Sequence, residues 1–503
     1  MHILQWLTTY QTTLVPLFVL YGVVLCVYRL FLHPLARFPG PKVAASSRWY
    51  EAYYDVVQNG QYTFKIAEMH KKYGPIVRIS PFELHVNDPA FFNTIYRQEG
   101  KWDKYAWNVD AFTAKGATIF TPGHALHKAR REPLNPYFSK SAILKREEML
   151  HRHLRKLLAQ ISSFAGQQRA INLGAAVQAY TRDVANEFIL DKDYNSLSQD
   201  FDTSVSRPNP ESGHLWRTTK HVRWFGPLLT AIPRMIITRS ADRGTKSFFK
   251  TITEHLQDTK KLMSKTDDAD LGRNLVHAIM TSKLPPSEKD VKRVFEDIST
   301  VMEAGTGTTA AALRLILVNL FTNAPLLQRL RDELTHAGLD SSASLPEIKA
   351  LERLPFLTSL LMEGLRLSPA IASRMARLAP DRDIHYDRWT IPARTPIGMT
   401  LILMHTDETI YPNAQKFEPD RWGDAKVRNK LEKSFAPFSK GSRSCVGQHL
   451  AWAEMYLIVA VLALRYDFQM KADVDDFLCN SDQFAIGTKS HGFLKTFVTA
   501  RGE

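Results

Sequence analysis

The stretch "FSKGSRSCVG", residues 438–447, leads directly into the apolar run "QHLAWAEMYLIVAVLAL", residues 448–464. The run has the length and composition of a helix, so Cys445 lies just before a helix start. A thiolate at that position is stabilised by unpaired backbone N–H groups and by the positive end of the helix dipole. Because Lys440 and Arg443 add positive charge, the stretch predicts a stabilised thiolate.

Three other residues of this stretch bear on its chemistry. Gly441 allows a tight turn, Gly447 allows the backbone to approach a flat ligand closely, and Phe438 offers a hydrophobic face. A lone thiolate with no second cysteine or nearby histidine does not suit a zinc site. As a nucleophile it would need a partnered base, whereas as one axial ligand of haem iron it needs only a flat pocket.

The first part of the chain predicts a membrane anchor. Residues 1–28 contain no Asp, Glu, Lys or Arg, and "LVPLFVLYGVVLCVY", from Leu14, is almost wholly apolar. At 1.5 Å per residue, a bilayer core of ~30 Å needs ~20 residues. A cleaved signal peptide would have a basic start, but here the positive residues begin at Arg29, after the apolar run, which predicts that the body is cytoplasmic. A buried core helix is the alternative.

The prolines of "HPLARFPGPK", residues 33–42, prevent the helix from continuing. We therefore expect an anchor over residues 1–32, a proline-rich hinge over 33–45 and the main domain over 46–503.

Composition narrows the class of protein. The three cysteines are too few and too scattered for a disulfide framework. The net charge of +14 is dispersed, with no zinc-finger spacing or basic tail, so nucleic acid is not an expected partner. A basic face for anionic lipid or an acidic protein fits better, and a merely solvated surface is the alternative.

Periodicity predicts a mainly α protein with a minor β lobe. Helical spacing marks "SKSAILKREEMLHRHLRKLLAQI", residues 139–161, and "SEKDVKRVFEDISTVMEAG", residues 287–305. Short alternating runs with Pro and Asn-Asp punctuation predict a hairpin over residues 74–89, and a second strand-rich patch covers residues 376–404.

The pattern F-x-x-G-x-R-x-C-x-G resembles the haem-binding loop of the cytochrome P-450 monooxygenases. The stretches "LHPLARFPGPK" and "HKKYGPIVRI" are similar to fungal microsomal members of the trichodiene oxygenase type. The resemblance spans nearly the whole chain and implies the cytochrome P-450 fold, with residues 46–503 as a haem-thiolate catalytic domain. It makes Cys445 the axial ligand of the iron of haem b, and places four further residues against the haem: Phe438, Gly441, Arg443 and Gly447.

The stretch "EAGTGTTAAAL", from Glu303, contains G-x-G-x-x-A. A dinucleotide-binding turn would need a preceding strand, but the residues before it have helical spacing. Glycines inside a helix cost about 1 kcal/mol each relative to alanine. In the family this segment opens a groove for dioxygen over the haem. Its threonine, which corresponds to Thr308, assists protonation of the bound oxygen. The acid that commonly precedes it is replaced by Gly307, which leaves proton delivery to water or another side chain; a threonine bonded only to its own helix is the alternative.

The resemblance also assigns supporting residues. The family's buried Glu, Arg and Arg triad corresponds to Glu363 and Arg366 of "EGLR" with Arg421 of "FEPDRW". The cationic partners of the haem propionates are expected at four positions, each of which could instead be ordinary surface charge: His127, Arg131, Arg377 and Arg443. Substrate contacts are expected from residues 105–123, from residues 214–229, and from Ala311, Ile371 and Ala372.

The resemblance implies a monooxygenase that uses dioxygen, with electrons from NADPH delivered by a flavin-containing NADPH-cytochrome reductase docked on the basic face beside the haem. The expected substrate is an apolar small molecule, a fungal secondary metabolite such as a terpenoid. We expect a single-pass protein of the endoplasmic reticulum membrane, in contact with lipid. Two alternatives stay open: a haem-thiolate isomerase or dehydratase without dioxygen, which the absence of an acid at Gly307 leaves open, and a non-enzymatic membrane haem-binding protein.

Overall fold

Helices dominate the computed structural model, which describes residues 2–198, 210–231, 243–264, 273–340 and 344–501. This confirms the predicted mainly α architecture. The helices are His2–Val27 with a π-helical end Tyr28–Leu32, Lys42–Ser46, Trp49–Ala52 continuing as Tyr53–Val57, Tyr62–Tyr73, Pro89–Ile95, Ala106–Val109, His124–Arg131, Leu134–Tyr137, Lys140–Leu144, Glu147–Ser162, Leu173–Leu190, Pro210–His221, Phe225–Ala231, Arg243–Ser264, Leu275–Met280, Val291–Phe321, Ala324–His336, Ile348–Leu351, Pro355–Leu367, Leu401–His405, Ala425–Leu431 and Gln448–Arg465.

The strands form a minor lobe. They are β1 Ile76–Arg78, β2 Leu84–Val86, β3 Asp103–Lys104, β4 Ile171–Asn172, β5 Arg377–Leu378, β6 Ile384–Tyr386, β7 Trp389–Ile391, β8 Ile397–Gly398, β9 Tyr466–Met470, β10 Ser481–Gln483, β11 Ala485–Gly487 and β12 Lys495–Ala500. The largest sheet has the order β1-β2-β8-β5-β3, and a second sheet has the order β4-β12-β9. The antiparallel β1–β2 pair confirms the predicted hairpin, and strands β5 to β8 confirm the second strand-rich patch.

The helix Val291–Phe321, called the central helix below, organises the helical lobe. Its N-cap Asp290 accepts hydrogen bonds from the N–H groups of Lys292 and Arg293 at 2.9 and 3.2 Å. It packs most extensively against Leu173–Leu190 and also against Gln448–Arg465, the cysteine helix. Since its second half is buried almost continuously, the central helix is the hydrophobic spine on which the site is built.

Two helices in the described part of the chain are long and apolar enough to cross a membrane. One is Leu14–Leu32, with mean hydropathy 2.2 and none of it buried. The other, Val291–Phe321, has mean hydropathy 1.3 and is 67% buried, as a core helix is. Helical structure ends at Leu32, and His33 is extended, which is the boundary expected from the prolines. Insertion of the first helix into a membrane stays a prediction.

Buried ion pairs join the first helices of the domain to the strand lobe. The Glu51 carboxylate lies 2.9 Å from the Lys220 ammonium and 2.7 Å from the Arg374 guanidinium. Arg374 also binds Glu83, at 2.8 Å. Burial alone would raise the pKa of Glu51, but Arg374 and Lys220 outweigh it and hold that pKa well below its ordinary value. The helix Pro210–His221 is thereby fixed against the N-terminal helices.

The predicted triad is present and buried. The Glu363 carboxylate accepts from Arg366 at 2.8 and 2.9 Å, from Arg421 at 2.9 Å, and from the Trp422 indole at 2.9 Å. Arg366 also donates to the carbonyl of His405 at 2.7 Å, and the His405 ring accepts from the Ala436 N–H at 3.0 Å. The triad therefore positions the segment that leads into the cysteine loop.

We predict that Glu363→Gln lowers the free energy of unfolding by about 3–5 kcal/mol, because it leaves buried Arg366 without its charge partner and Arg421 with Glu418 alone. The matched control is Glu68→Gln, which breaks an exposed Lys65–Glu68 pair with the same i, i+3 spacing and should cost less than ~0.5 kcal/mol. Urea unfolding followed by circular dichroism measures both. Equal losses for the two variants would contradict the structural role of the triad.

Candidate active site

The loop before the cysteine helix is closed by its own backbone. The Cys445 N–H donates to the Phe438 carbonyl at 2.9 Å. Gly441 has φ +75°, and a Cβ there would lie 2.5 Å from the Arg97 carbonyl oxygen. Only glycine tolerates both the left-handed backbone and this close approach. The expected tight turn at Gly441 is therefore observed, and the cysteine helix starts at Gln448, three residues after Cys445.

The Cys445 thiol is accessible but strongly desolvated. The residue is accessible to a solvent molecule, yet the surrounding protein raises the pKa of the thiol through desolvation. The Gly447 N–H, which bonds to the sulfur, and the Arg131 guanidinium act in the opposite direction on that pKa. Because a coordinated metal ion deprotonates a thiol outright, this position suits a metal ligand better than a free nucleophile.

The central helix presents an accessible face in the middle of the protein. Glu303, Ala304 and Gly307 are exposed, whereas Thr309 and Ala310 are buried. A Cβ at Gly307 would meet no atom within 4 Å, while one at Gly305 would contact the Ala185 Cβ at 3.4 Å. Gly305 therefore packs against a neighbouring helix and Gly307 faces open space, as a groove over a flat ligand requires.

Thr308 lies at this groove, partly accessible, and its hydroxyl donates to the Ala304 carbonyl at 2.7 Å. The bond back to its own helix, which was the alternative interpretation, is thus present. Despite this bond, the Thr308 side chain stays at the groove. A hydrogen-bond acceptor bound in the groove would compete with the Ala304 carbonyl for the hydroxyl proton.

Glu454, on the cysteine helix, was not identified from the sequence. It is buried and hydrogen-bonds the side chain of Thr309, the residue after Thr308. Desolvation raises its pKa well above the ordinary value, although the Thr309 bond acts in the opposite direction. A buried carboxyl whose environment favours the protonated form is therefore bonded to the segment in which Gly307 replaces the usual acid.

Five basic residues converge near Cys445. The four predicted ones are joined by Lys104, which no sequence motif marked, because it is placed by strand pairing: Lys104 on β3 lies directly opposite Arg377 on β5. Desolvation lowers the pKa of Lys104 well below its ordinary value, and Arg377, Arg443 and Arg131 lower it further. Positive charge is therefore concentrated here by long-range folding.

Carbonyl oxygens, rather than carboxylates, hold most of these cations in place. Arg443 donates to the carbonyls of Thr121 and Pro122 at 2.7 and 2.6 Å, and Arg131 donates to the Ser444 carbonyl at 3.0 Å. The buried Nε of Arg443 has no hydrogen-bond partner. Desolvation and the neighbouring Arg377 lower the pKa of Arg443 to about 9, with Asp103 acting in the opposite direction. The cluster has the chemistry of a binding site for an anion.

His127 lies inside this cluster but differs from the expected cation. Desolvation, followed by Arg443, Lys104 and Arg131, lowers the pKa of His127 to about 2. The imidazole is therefore neutral at pH 7 and can offer an N–H to an anion rather than a charge.

The three residues expected to contact the substrate differ in their accessibility. Ala311 lies on the accessible side of the central helix, and Ile371 is partly accessible and forms a bridge to Ala485. Ala372 is fully buried, and its N–H donates to the Phe484 carbonyl at 2.9 Å. Its prediction as a substrate contact is wrong, since its backbone instead fixes the neighbouring turn.

Aromatic rings from distant segments meet beside Ile371. Phe112 stacks on Phe120 with ring centres 4.1 Å apart, and Phe484 meets Phe112 edge-on at 4.7 Å. Trp216 lies 5.5 Å from Phe484. Phe112, Phe120 and Trp216 lie in the segments predicted to form the substrate walls. Phe484 was missed because only the folded structure brings its turn next to those segments.

These features fit haem b. The thiol of Cys445 would bind the iron, the open backbone at Gly307 and Gly447 leaves room for a flat macrocycle, and the basic cluster would bind two propionates. Phe438 packs against the core below the loop.

Comparison with known proteins agrees with this chemistry. The family model for cytochrome P450 matches residues 49–494. The chain is 38% identical over 472 residues to the tryptophan 6-hydroxylase fscE of Fusarium equiseti, covering 92% of this chain and 91% of that protein. It is 35% identical over 474 residues to the cytochrome P450 monooxygenase TRI4 of Fusarium sporotrichioides, covering 91% and 89%.

A solved structure shares the fold. The crystal structure of a cytochrome P450, CYP102L1, superposes with a TM-score of 0.68 at 17% sequence identity, covering 87% of this chain and 94% of that one. The predicted fold is thereby confirmed.

We predict that Lys104→Met speeds haem loss about tenfold, the factor expected for one charge-assisted hydrogen bond of ~1.5 kcal/mol. The same substitution should not destabilise the haem-free protein, because it removes a repulsive charge. Transfer of haem to excess apomyoglobin, followed by absorbance, measures the rate. Lys101→Met is the control, because the Lys101 side chain is exposed and its ammonium lies 4.0 Å from the Asp381 carboxylate rather than in the basic cluster. Equal transfer rates for the two variants would exclude Lys104 from the propionate site.

Proposed function

This chain belongs to the cytochrome P450 family and is a haem-thiolate monooxygenase, and we propose that it oxidises an apolar secondary metabolite of a fungus. The observation that carries the proposal is the accessible Cys445 thiol just before the cysteine helix, on which the Gly447 N–H and the Arg131 guanidinium of the basic cluster act. Haem supplies the dioxygen chemistry when bound, and thiolate ligation favours cleavage of the O–O bond.

The protein's own residues would hold and orient the group. Cys445 would supply the thiolate that binds the iron, and the Gly447 N–H would stabilise its charge. Arg131, Arg377, Arg443 and Lys104 would bind the propionates, with His127 donating a neutral hydrogen bond.

Proton delivery is the step for which this chain departs from its family. We propose that Thr308 presents its hydroxyl proton to the groove after leaving the Ala304 carbonyl. The neutral carboxyl of Glu454 hydrogen-bonds the adjacent Thr309 and offers a proton source in place of the acid that Gly307 lacks.

The substrate walls support an apolar molecule. The partly accessible rings of Phe112 and Phe484 pack on the buried rings of Phe120 and Trp216, and accessible aromatic rings bind ligands through apolar area and ring contacts. A terpenoid fits, and a polyketide of similar size would also fit. The expected product is hydroxylated or further oxidised.

We propose that electrons come from NADPH through a flavin-containing reductase. Exposed Lys128 lies on the helix that also carries His127 and Arg131, and exposed Lys433 lies in the segment leading to the cysteine loop. These charges support an acidic partner on the face behind the haem, where complementary charge speeds association.

We predict that Thr308→Ala lowers product formed per NADPH several-fold and raises hydrogen peroxide release, because the positioned hydroxyl is lost. The effect should stay below the ~10²-fold of a full acid catalyst, since water remains. NADPH, peroxide and product are measured with reductase and a sesquiterpene as test substrate. The control is Thr322→Ala, which removes the same kind of bond, to the Val318 carbonyl at 2.6 Å, at the other end of the central helix and should leave coupling unchanged.

Product formed without NADPH and dioxygen would contradict the monooxygenase and support the isomerase or dehydratase. Unchanged coupling in Thr308→Ala would show that protons reach the site by a route independent of this threonine.

We also propose that residues 1–32 anchor the chain in the endoplasmic reticulum membrane in a single pass, with 33–45 as hinge and 46–503 as the cytoplasmic catalytic domain. The apolar helix Leu14–Leu32, none of which is buried, supports this.

Removal of residues 2–32 should therefore transfer at least part of the protein from the membrane pellet to the supernatant in high-salt buffer, because the spanning helix is lost. Immunoblotting of fractions, with the full chain as control, measures this. Complete retention would contradict a sole N-terminal anchor and indicate a second contact, such as exposed Trp224.

A further inference from the structure

A large cavity lies away from the cysteine loop. It has a volume of about 1010 Å³ and is formed by residues 107–115, the segment 219–227, the helix Arg243–Ser264 and the start of the central helix. None of its lining residues belongs to the cysteine loop or to the groove at Gly307. The cavity therefore needs its own explanation.

The cavity combines apolar walls with a basic rim. Trp107, Leu256 and Phe295 line it together with four exposed basic residues: Lys115, Arg223, Lys260 and Lys292. Among the described residues, none of these four lies within ion-pair distance of a carboxylate, while the fifth basic group, Lys220, is neutralised by Glu51 and Asp55.

Two carboxylates line the cavity, Asp110 and Glu296. Glu296 already accepts a hydrogen bond from the Gly116 N–H at 2.6 Å. The four rim cations exceed these two acids, so the cavity carries net positive charge. A ligand complementary to it is apolar and bears a negative group.

The cavity and the oxidation site lie along one face of the same helix. The accessible residues of the central helix recur at helical spacing from Lys292 through Glu296, Thr300 and Glu303 to Gly307. Phe295 of the cavity and Gly307 of the groove are twelve residues apart, which is about 18 Å of helix. A single extended molecule of that length could contact both.

We propose that this cavity binds the carboxylate of the substrate, which is an elongated, largely apolar carboxylic acid whose far end lies at the Cys445 side. The inference rests on the proposed monooxygenase function and names its substrate class. The acid is held by Lys260 and Lys292, with Arg223 and Lys115 adding charge at the rim, and the aromatic walls align the chain toward the groove.

The test uses the full-length haem protein in neutral detergent, with hexadecanoic acid and hexadecan-1-ol as probes. Equilibrium dialysis measures binding, and absorbance of the haem reports whether the bound molecule reaches the iron. We expect the acid to bind at least tenfold more tightly than the alcohol and to shift the absorbance band. Octanoic acid, too short to span ~18 Å, should bind without the shift.

Substitution of two lysines tests whether charge, rather than the shape of the cavity, determines binding. Lys260→Gln with Lys292→Gln should weaken binding of hexadecanoic acid about fivefold, as expected for two exposed ion pairs, and change binding of the alcohol less than twofold. The control is Lys489→Gln, an exposed lysine outside the cavity. Lys260→Glu with Lys292→Glu should reverse the preference, so that hexadecylamine binds more tightly than the acid.

Equal binding of acid and alcohol, or an acid preference that neither pair of substitutions reduces, would overturn the proposal. Acid binding without an absorbance shift would overturn the claim that one molecule spans both places. Competition by vesicles of anionic phospholipid as strong as by the acid would reassign the cavity to lipid headgroups. The carbon monoxide band of the reduced protein distinguishes these failures from failure of the proposed function, because that band requires only the thiolate-ligated haem.

Discussion

The 2.9 Å hydrogen bond from the Cys445 N–H to the Phe438 carbonyl closes the loop on which the site depends. The loop holds its shape because Gly441 adopts a backbone angle and a contact with Arg97 that no other residue would tolerate. The segment before the loop is also held in place. Arg366 of the buried triad donates to the His405 carbonyl, and the His405 ring accepts from the Ala436 N–H. A chain of buried hydrogen bonds thus runs from Glu363 to Ala436, two residues before the Phe438 carbonyl that closes the loop.

The second constraint is electrostatic. The fold brings four cations together with few acids nearby: Lys104, Arg131, Arg377 and Arg443. Because they are desolvated, the pKa of each is lowered from its ordinary value. Buried like charges are unfavourable unless they are compensated, and two propionates would compensate them. Stability of the folded protein and binding of haem are therefore expected to be closely coupled.

The sequence predicted those parts of the site that local patterns encode. Cys445, Gly441 and the helix after them follow from one continuous stretch, and Glu363 with Arg366 from the resemblance of "EGLR" to the family's triad. Lys104, Glu454 and Phe484 were missed because each acquires its role from a partner far along the chain: Arg377 across a sheet, Thr309 on another helix and Phe112 in a loop. Ala372 was misjudged for the same reason, since its burial depends on the turn at Phe484.

The most direct measurement of the central claim is the absorbance difference of the dithionite-reduced protein with and without carbon monoxide, for the natural chain and for Cys445→Ser. A thiolate ligand at Cys445 predicts a strongly red-shifted Soret band that disappears in the variant while circular dichroism stays helical. A band at the position of histidine-ligated haem, or an unchanged band in Cys445→Ser, would contradict the assignment of Cys445 as the iron ligand.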